Sequence, residues 1–125
     1  MTLEKYCSIH LTLGQRSLLA KLRLGVLPIE VELGRYNGTQ RELRTCKVCK
    51  KGQVEDEIHF LLTCEKYQKG RESLFSIAIE TVENFIDLND EEKIRVLTTH
   101  ATLIRKTCKF IQDSLVERNG LIRVA

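Results

Sequence analysis

The segment CKVCKKGQVEDEIHFLLTC, from Cys46 to Cys64, constrains this chain more than any other. Three cysteines and a histidine fall within nineteen residues, spaced C-x2-C-x9-H-x4-C. Two residues between Cys46 and Cys49 let a tight turn aim both sulfurs at one point. His59 and Cys64 supply a second pair. Zinc takes four nitrogen or sulfur ligands in a tetrahedron, and its structural sites keep no water as ligand. Cys46, Cys49, His59 and Cys64 complete that shell. Gly52 follows the first pair, where the chain must reverse. Three thiolates around Zn2+ leave a net negative site, and Lys47, Lys50 and Lys51 offset it and favour the deprotonated sulfurs. The competing reading makes Cys46 and Cys49 ordinary buried thiols and His59 a core histidine. That reading has to bury thiols in a basic, polar stretch.

Glu55-Asp56-Glu57 opens the stretch EDEIHFLL, which reads as a short helix with acidic residues suited to its N-terminus. His59 then turns to the metal, while Ile58, Leu61 and Leu62 pack inward. The five cysteines are an odd number, and no secretory signal or apolar run of about 20 residues is present. The expectation is a reducing compartment, nucleus or cytoplasm, with free thiols and no membrane span. Cys7 and His10 have ligand-like spacing but form only half a site. Cys108 sits in a helical pattern beside Phe110 and Ile111 and reads as a core thiol.

Outside this segment the pattern is helical. Thr12 and Gln15 fit a capping box. Leu18, Leu19, Leu22 and Val26 recur at helical spacing, and Gly25 suggests a stop. Pro28 opens a second helix, PIEVEL, that Gly34 closes, and RYNGTQ is a loop. Residues 65–86 carry one wide apolar stripe that includes Ile79 and Ile86. Asn89 with Glu92 caps a helix over 90–100. The last helix runs from about 101 to 118 with Gly120 as C-cap, and the tail LIRVA frays or packs back extended. The fold class is therefore mainly α. About five helices form a single domain over 1–125, with the zinc knuckle at 44–66 inserted after the second helix and a helical tail over 67–119.

The runs LLAKLRLGVLPIEVELGRY, RTCKVC and VEDEIHFLLTCEKYQKGR together resemble the zinc-binding region at the C-terminal end of reverse-transcriptase-like proteins of non-LTR retrotransposons. Gly34-Arg35-Tyr36, Cys46, Cys49, Glu55-Asp56-Glu57, His59-Phe60, Cys64, Tyr67 and Arg71 carry the likeness, which covers nearly half the chain. It implies a zinc module associated with nucleic-acid handling. The chain holds no Tyr-x-Asp-Asp sequence, and its one proline, Pro28, precedes Ile29, so neither a polymerase nor a restriction-like nuclease motif accompanies it.

Charge is unevenly placed. Residues 1–52 hold ten Lys/Arg against four Asp/Glu, a balance of +6, and residues 53–125 hold ten against thirteen, a balance of −3. Either the first half faces an anionic partner or the charges are a solvated surface. On the first reading Arg35, Arg41, Arg44, Lys47, Lys50 and Lys51 contact phosphates of RNA or DNA and Tyr36 stacks on a base. On the alternative, zinc only staples a helical domain that docks on a protein partner. With four protein ligands no metal position is left open for catalysis, and the chain reads as non-enzymatic.

Overall fold

A computed structural model describes residues 11–124, and the side chains to residue 122. The architecture is mainly α, as the periodicity predicts. Five helices account for most of it: α1 (Leu13–Leu24), α2 (Glu30–Tyr36), α3 (Gln68–Thr81), α4 (Asp90–Thr99) and α5 (Ile104–Val124). Among the described residues there is no strand, only one antiparallel bridge between Thr45 and Val54.

The expected cap of α1 is present. Gln15 N–H donates to Thr12 Oγ1 and Thr12 N–H donates to Gln15 Oε1, both at 3.1 Å. The box satisfies two backbone donors that the first turn leaves free. Gly25 ends the helix with φ of 71°, and the following Val26 N–H reaches back to Lys21 O. Only glycine enters this left-handed region without cost. Asn89 caps α4 by accepting from Glu92 N–H at 2.9 Å.

Several boundaries depart from the sequence reading. Pro28 lies in the link before α2, not in its first turn, because Leu27 and Ile29 are both fully buried and hold that link down. Gly34 does not close α2, which continues to Tyr36. The absence of a side chain there answers a different need: a Cβ at Gly34 would stand 2.5 Å from Arg44 Cγ, so Arg44 crosses the helix at this point. The stripe over 65–86 is broken. Helix α3 ends at Thr81, Asn84 takes φ of 61°, and Phe85–Asp87 forms a separate turn. Ile86, beyond the break, falls on the surface, and Ile79 does so within α3, off the face of Arg71, Leu74 and Ala78. Gly120 is not a C-cap and the tail is not extended. Helix α5 runs through to Val124, held at its far end by the buried Arg118 and by Ile122 packed on the core.

Helix α5 is the central element, packed against α1, α3 and α4. Its face carries Ile104, Cys108, Ile111 and Leu115, spaced four, three and four residues apart, all buried. The main core joins Leu27, Ile29, Phe60, Leu61, Leu74, Phe85, Leu97 and Ile111. A smaller cluster of Leu11, Leu19, Ile104 and Cys108 seals α1 to α5, which places Cys108 in the core as expected. Thr107 is also buried there, and its hydroxyl donates to carbonyl oxygens including that of Leu97 at 2.7 Å. The Cys46–Cys64 segment follows α2 and precedes α3, lying against this helical frame through Phe60 and Leu61.

The Gly34–Arg44 crossing yields a test. Gly34→Ala forces the Arg44 stem aside and destabilises the fold by about 1–3 kcal/mol, the usual cost of overpacking. In an Arg44→Ala background the same change costs less than about 0.5 kcal/mol, because nothing remains to clash. Urea denaturation of the four chains measures the coupling, and additive effects would refute the crossing.

Candidate metal centre

The site is built from two halves. The first is a short hairpin. Cys46 N–H donates to Gln53 O at 2.8 Å and Glu55 N–H donates to Arg44 O at 3.0 Å, on either side of the Thr45–Val54 bridge. Between these rungs the chain turns back over Cys46–Gly52. Lys50 and Gly52 both adopt positive φ, 57° and 80°. The reversal brings Cys46 and Cys49 together with Lys50 at the apex. Gly52 meets the need for a left-handed residue without strain, whereas Lys50 carries a modest cost.

The second half is a helical turn. Asp56 Oδ1 accepts from His59 N–H at 2.8 Å and caps it. In an α-helix residues five apart point about 140° away from each other. Here Cys64 N–H donates to His59 O at 2.7 Å, an i to i+5 bond, and His59–Thr63 forms a wider π-type turn. The extra residue brings His59 and Cys64 to one side. Arg71 closes this half. It is buried, and its guanidinium donates to the carbonyl oxygens of Leu61 (2.9 Å), Cys64 (2.7 Å) and Phe60 (3.1 Å). The carbonyls lie at the end of the turn, where that of Cys64 also accepts from Tyr67 N–H at 3.3 Å, and a cation there suits the helix dipole. Tyr67 packs edge-on against Phe60 with ring centroids 5.1 Å apart.

The two halves meet. One ligand atom from each of Cys46, Cys49, His59 and Cys64 lies within 4.8 Å of the others. Cys46 Sγ and Cys64 Sγ are 4.0 Å apart, and Cys49 Sγ is 3.5 Å from His59 Nε2. A tetrahedron with metal–sulfur bonds of about 2.3 Å and metal–nitrogen bonds of about 2.0–2.1 Å has edges of about 3.8 Å between sulfurs and 3.6 Å between sulfur and nitrogen. The cluster fits a metal ion. Cys46, His59 and Cys64 are buried and Cys49 is partly exposed; all three cysteines are free thiols.

The histidine is oriented for ligation. Thr63 Oγ1 donates its one hydrogen to His59 O and lies 3.2 Å from His59 Nδ1. With that hydrogen engaged, the hydroxyl accepts from Nδ1–H, which leaves Nε2 with a lone pair facing the sulfurs. Burial holds the imidazole below its ordinary pKa, opposed by the charges of Glu55 and Asp56, so the neutral form prevails at pH 7. Burial pushes the Cys46 thiol up to about 12 and raises Cys64. Without a cation these sulfurs keep their protons; a metal ion supplies the charge that displaces them.

One carboxylate joins the halves to the frame. Glu55 is fully buried. Arg118 of α5 donates to it twice, Nε to Oε2 at 2.9 Å and Nη2 to Oε1 at 2.7 Å. Oε1 also accepts from Glu30 N–H at the start of α2, at 2.7 Å, and Oε2 lies 3.8 Å from Cys46 Sγ. The sequence pattern marks Glu55 only as an acid at a helix start and assigns Arg118 no role. Arg118 does continue the spacing Ile104, Cys108, Ile111, Leu115, and a charge on a buried stripe is itself a sign of a buried partner.

The seven basic and aromatic candidates are in different states. Arg35, Tyr36, Arg41, Lys47, Lys50 and Lys51 are exposed. Arg35 pairs with Glu32 (2.7 Å), Arg41 with Asp56 (3.6 Å), Lys47 with Glu30 (3.4 Å) and Lys51 with Glu65 (2.7 Å). The Arg35 guanidinium lies 5.2 Å from the centroid of the Tyr36 ring. Arg44 is different. It is half-buried and donates to Thr39 O (2.8 Å) and Val31 O (2.9 Å), which fixes the loop to α2. Cys7 and His10 fall outside the described residues.

Comparison with protein-family models, curated proteins and solved structures finds no match. Fold and site together define a mainly α protein with a Cys3His cluster that can hold a metal ion. Among the described residues no helix is long and apolar enough to cross a membrane.

Metal binding at this cluster is strongly pH-dependent. Near neutrality the buried thiols of Cys46 and Cys64 start protonated and the imidazole starts neutral, so binding displaces about two protons from these two sulfurs. Affinity therefore rises with pH, by about two decades per unit or more, and falls as the solution is acidified. Chelator competition between pH 6 and 8 measures the slope, and a slope below one decade per unit would exclude a three-thiolate site.

Proposed function

We propose that the chain is a non-enzymatic, zinc-stapled helical module of retrotransposon reverse-transcriptase type that contacts RNA or DNA through the basic surface beside the knuckle. The observation that carries the zinc assignment is the convergence of Cys46, Cys49, His59 and Cys64, one ligand atom from each lying within 4.8 Å of the others. Three sulfurs and one nitrogen favour zinc over the hard cations that prefer oxygen. Four protein ligands leave no open coordination position, so the role of the metal is structural. The four residues that would hold it come from two chain segments ten residues apart, and the metal would tie the hairpin to the turn.

Support for the nucleic-acid reading lies in what the knuckle exposes. Arg35, Arg41, Lys47, Lys50 and Lys51 extend into solvent, and Tyr36 is 76% exposed with Arg35 alongside. An exposed tyrosine beside cations suits single-stranded nucleic acid, where bases stack and phosphates pair with Lys and Arg. Of the acids that pair with these cations Glu65 is exposed, and such an exposed pair exchanges at little cost, whereas Glu30 and Glu32 are buried. The resemblance carried by Gly34-Arg35-Tyr36 and the cysteine–histidine motif points the same way. A second reading, a protein-docking module, draws on the large apolar side chains left on the surface, among them Leu13, Leu24, Leu43 and Val116.

Two measurements test the proposal. Cys49→Ser abolishes stoichiometric zinc and loosens residues 44–65 while the packing of α1 and α5 survives; zinc retention by this variant would sink the ligand assignment. The natural chain binds a short single-stranded oligonucleotide with an affinity that drops as salt rises. Changing Arg41, Lys47, Lys50 and Lys51 together to Ala flattens that slope by about 0.7 for each phosphate no longer engaged, with zinc retained. An unaltered slope would reject this surface, and one zinc without oligonucleotide binding would favour the protein-docking reading.

A further inference from the structure

Ligation alone does not account for the deepest neighbour of the cluster. Glu55 Oε2 lies 3.8 Å from Cys46 Sγ, and both residues are almost wholly buried. A thiolate bound to a metal and a carboxylate at that distance repel each other, and burial keeps bulk solvent from screening them. The only cation in hydrogen-bond contact with that carboxylate, among the described residues, is Arg118, itself 2% exposed. It comes from α5, fifty-four residues beyond Cys64. The same guanidinium reaches Glu30 Oε2 at 3.2 Å, and Lys47 Nζ stands 3.4 Å from Glu30 Oε1. The chain of contacts therefore runs from the sulfur through Glu55 to Arg118 and on through Glu30 to Lys47.

Resting on the metal reading, we infer that Arg118 is a positioning residue of the metal centre. Its guanidinium balances the carboxylate beside Cys46, and metal occupancy and docking of the C-terminal half of α5 stabilise each other. Two steps lead there. Groups that contact metal ligands from outside set ligand orientation and charge, and losing one costs about 10–100-fold in metal affinity. If α5 favours the metal through Arg118, then the metal favours the docked α5 by the same factor, since coupling between binding equilibria is reciprocal. The C-terminal helix is then a reporter of the metal state, although it contributes no ligand.

The test compares three chains in chelator competition for zinc. Arg118→Met weakens zinc by at least about tenfold. Adding Glu55→Gln to that variant restores most of the loss. The introduced amide does not carry the charge that faces Cys46, yet its carbonyl still accepts from Glu30 N–H. A purely structural role also predicts recovery in the double variant, since removing both charges relieves the buried unpaired carboxylate, so urea denaturation of the three metal-free chains separates the two: a zinc loss no larger than the lost metal-free stability accounts for marks a structural role and overturns the inference. Zinc affinity of Arg118→Met within about twofold of the natural chain, or failure of the double variant to recover, overturns the inference. Should Arg118→Met not fold, amide hydrogen exchange on the natural chain decides: zinc slows exchange over residues 115–122, and equal exchange with and without zinc overturns it. A natural chain that takes up no zinc fails the metal reading itself, whereas a chain that binds zinc without the Arg118 dependence fails this inference alone.

Discussion

The buried carboxylate of Glu55 is the point on which the rest of the structure depends. A charge with no solvent access must be met by partners, or the fold that buries it does not form. Glu55 meets two N–H groups of Arg118 and the backbone N–H of Glu30. Those contacts fix the arm of the hairpin that carries Glu55, the start of α2 and the far end of α5 in one geometry. Replacing such an ion pair by apolar groups is often neutral for stability, but breaking it from one side costs about 3–5 kcal/mol. Its value lies in specificity. A greasy contact between α5 and the hairpin would tolerate a slide of a turn, and a forked guanidinium on a carboxylate does not.

Arg71 does for the second half of the site what Arg118 does for the first. It takes three carbonyl oxygens at the end of the His59–Thr63 turn, and so holds the turn in the widened form that aligns His59 with Cys64. Each half of the cluster thus has its own arginine anchor on a long helix, α3 for one and α5 for the other. Small isolated zinc modules offset the entropy of assembling their ligands with the metal's binding energy. In this chain much of that ordering is done by the helical frame, so the four ligand atoms converge on a helical core of ordinary size.

The helices and ligands are legible in the sequence because each rests on local chemistry. The Thr12–Gln15 box, the Asn89 cap, the Gly25 stop and the spacing of the cysteines and histidine are all settled within a few residues. The features that the sequence hides share a cause as well. Gly120 looks like a stop because glycine often is one, yet Arg118 is held from outside the helix and the chain stays helical past it. Gly34 looks the same, and its true constraint is a side chain ten residues distant. Ile86 continues a periodic stripe that Asn84 interrupts with a left-handed turn. Arg44 resembles one more surface cation, and only its bonds to Thr39 and Val31 set it apart. Partners far apart in sequence decide most of these cases, and spacing alone does not carry that information.

Distant partners also govern the proposed nucleic-acid surface. Counting Lys and Arg over residues 1–52 overstates the charge on offer, since Arg44 is committed to the loop and four of the exposed cations already face a carboxylate. These pairs are not equal. Lys51–Glu65 joins two exposed side chains, so a phosphate can displace Glu65 with little loss. Lys47 faces Glu30, which Arg118 also holds, and drawing Lys47 away would leave that partly buried acid with less compensation. An incoming polyanion therefore gains most from Lys50 and Lys51 at the knuckle tip, and least from Lys47 and from Arg35, whose two hydrogen bonds hold the buried Glu32. On the proposed reading, the acids that temper this surface would make binding selective for a chain of phosphates, because a single anion does not replace several carboxylates at once, whereas a strand that engages several cations does.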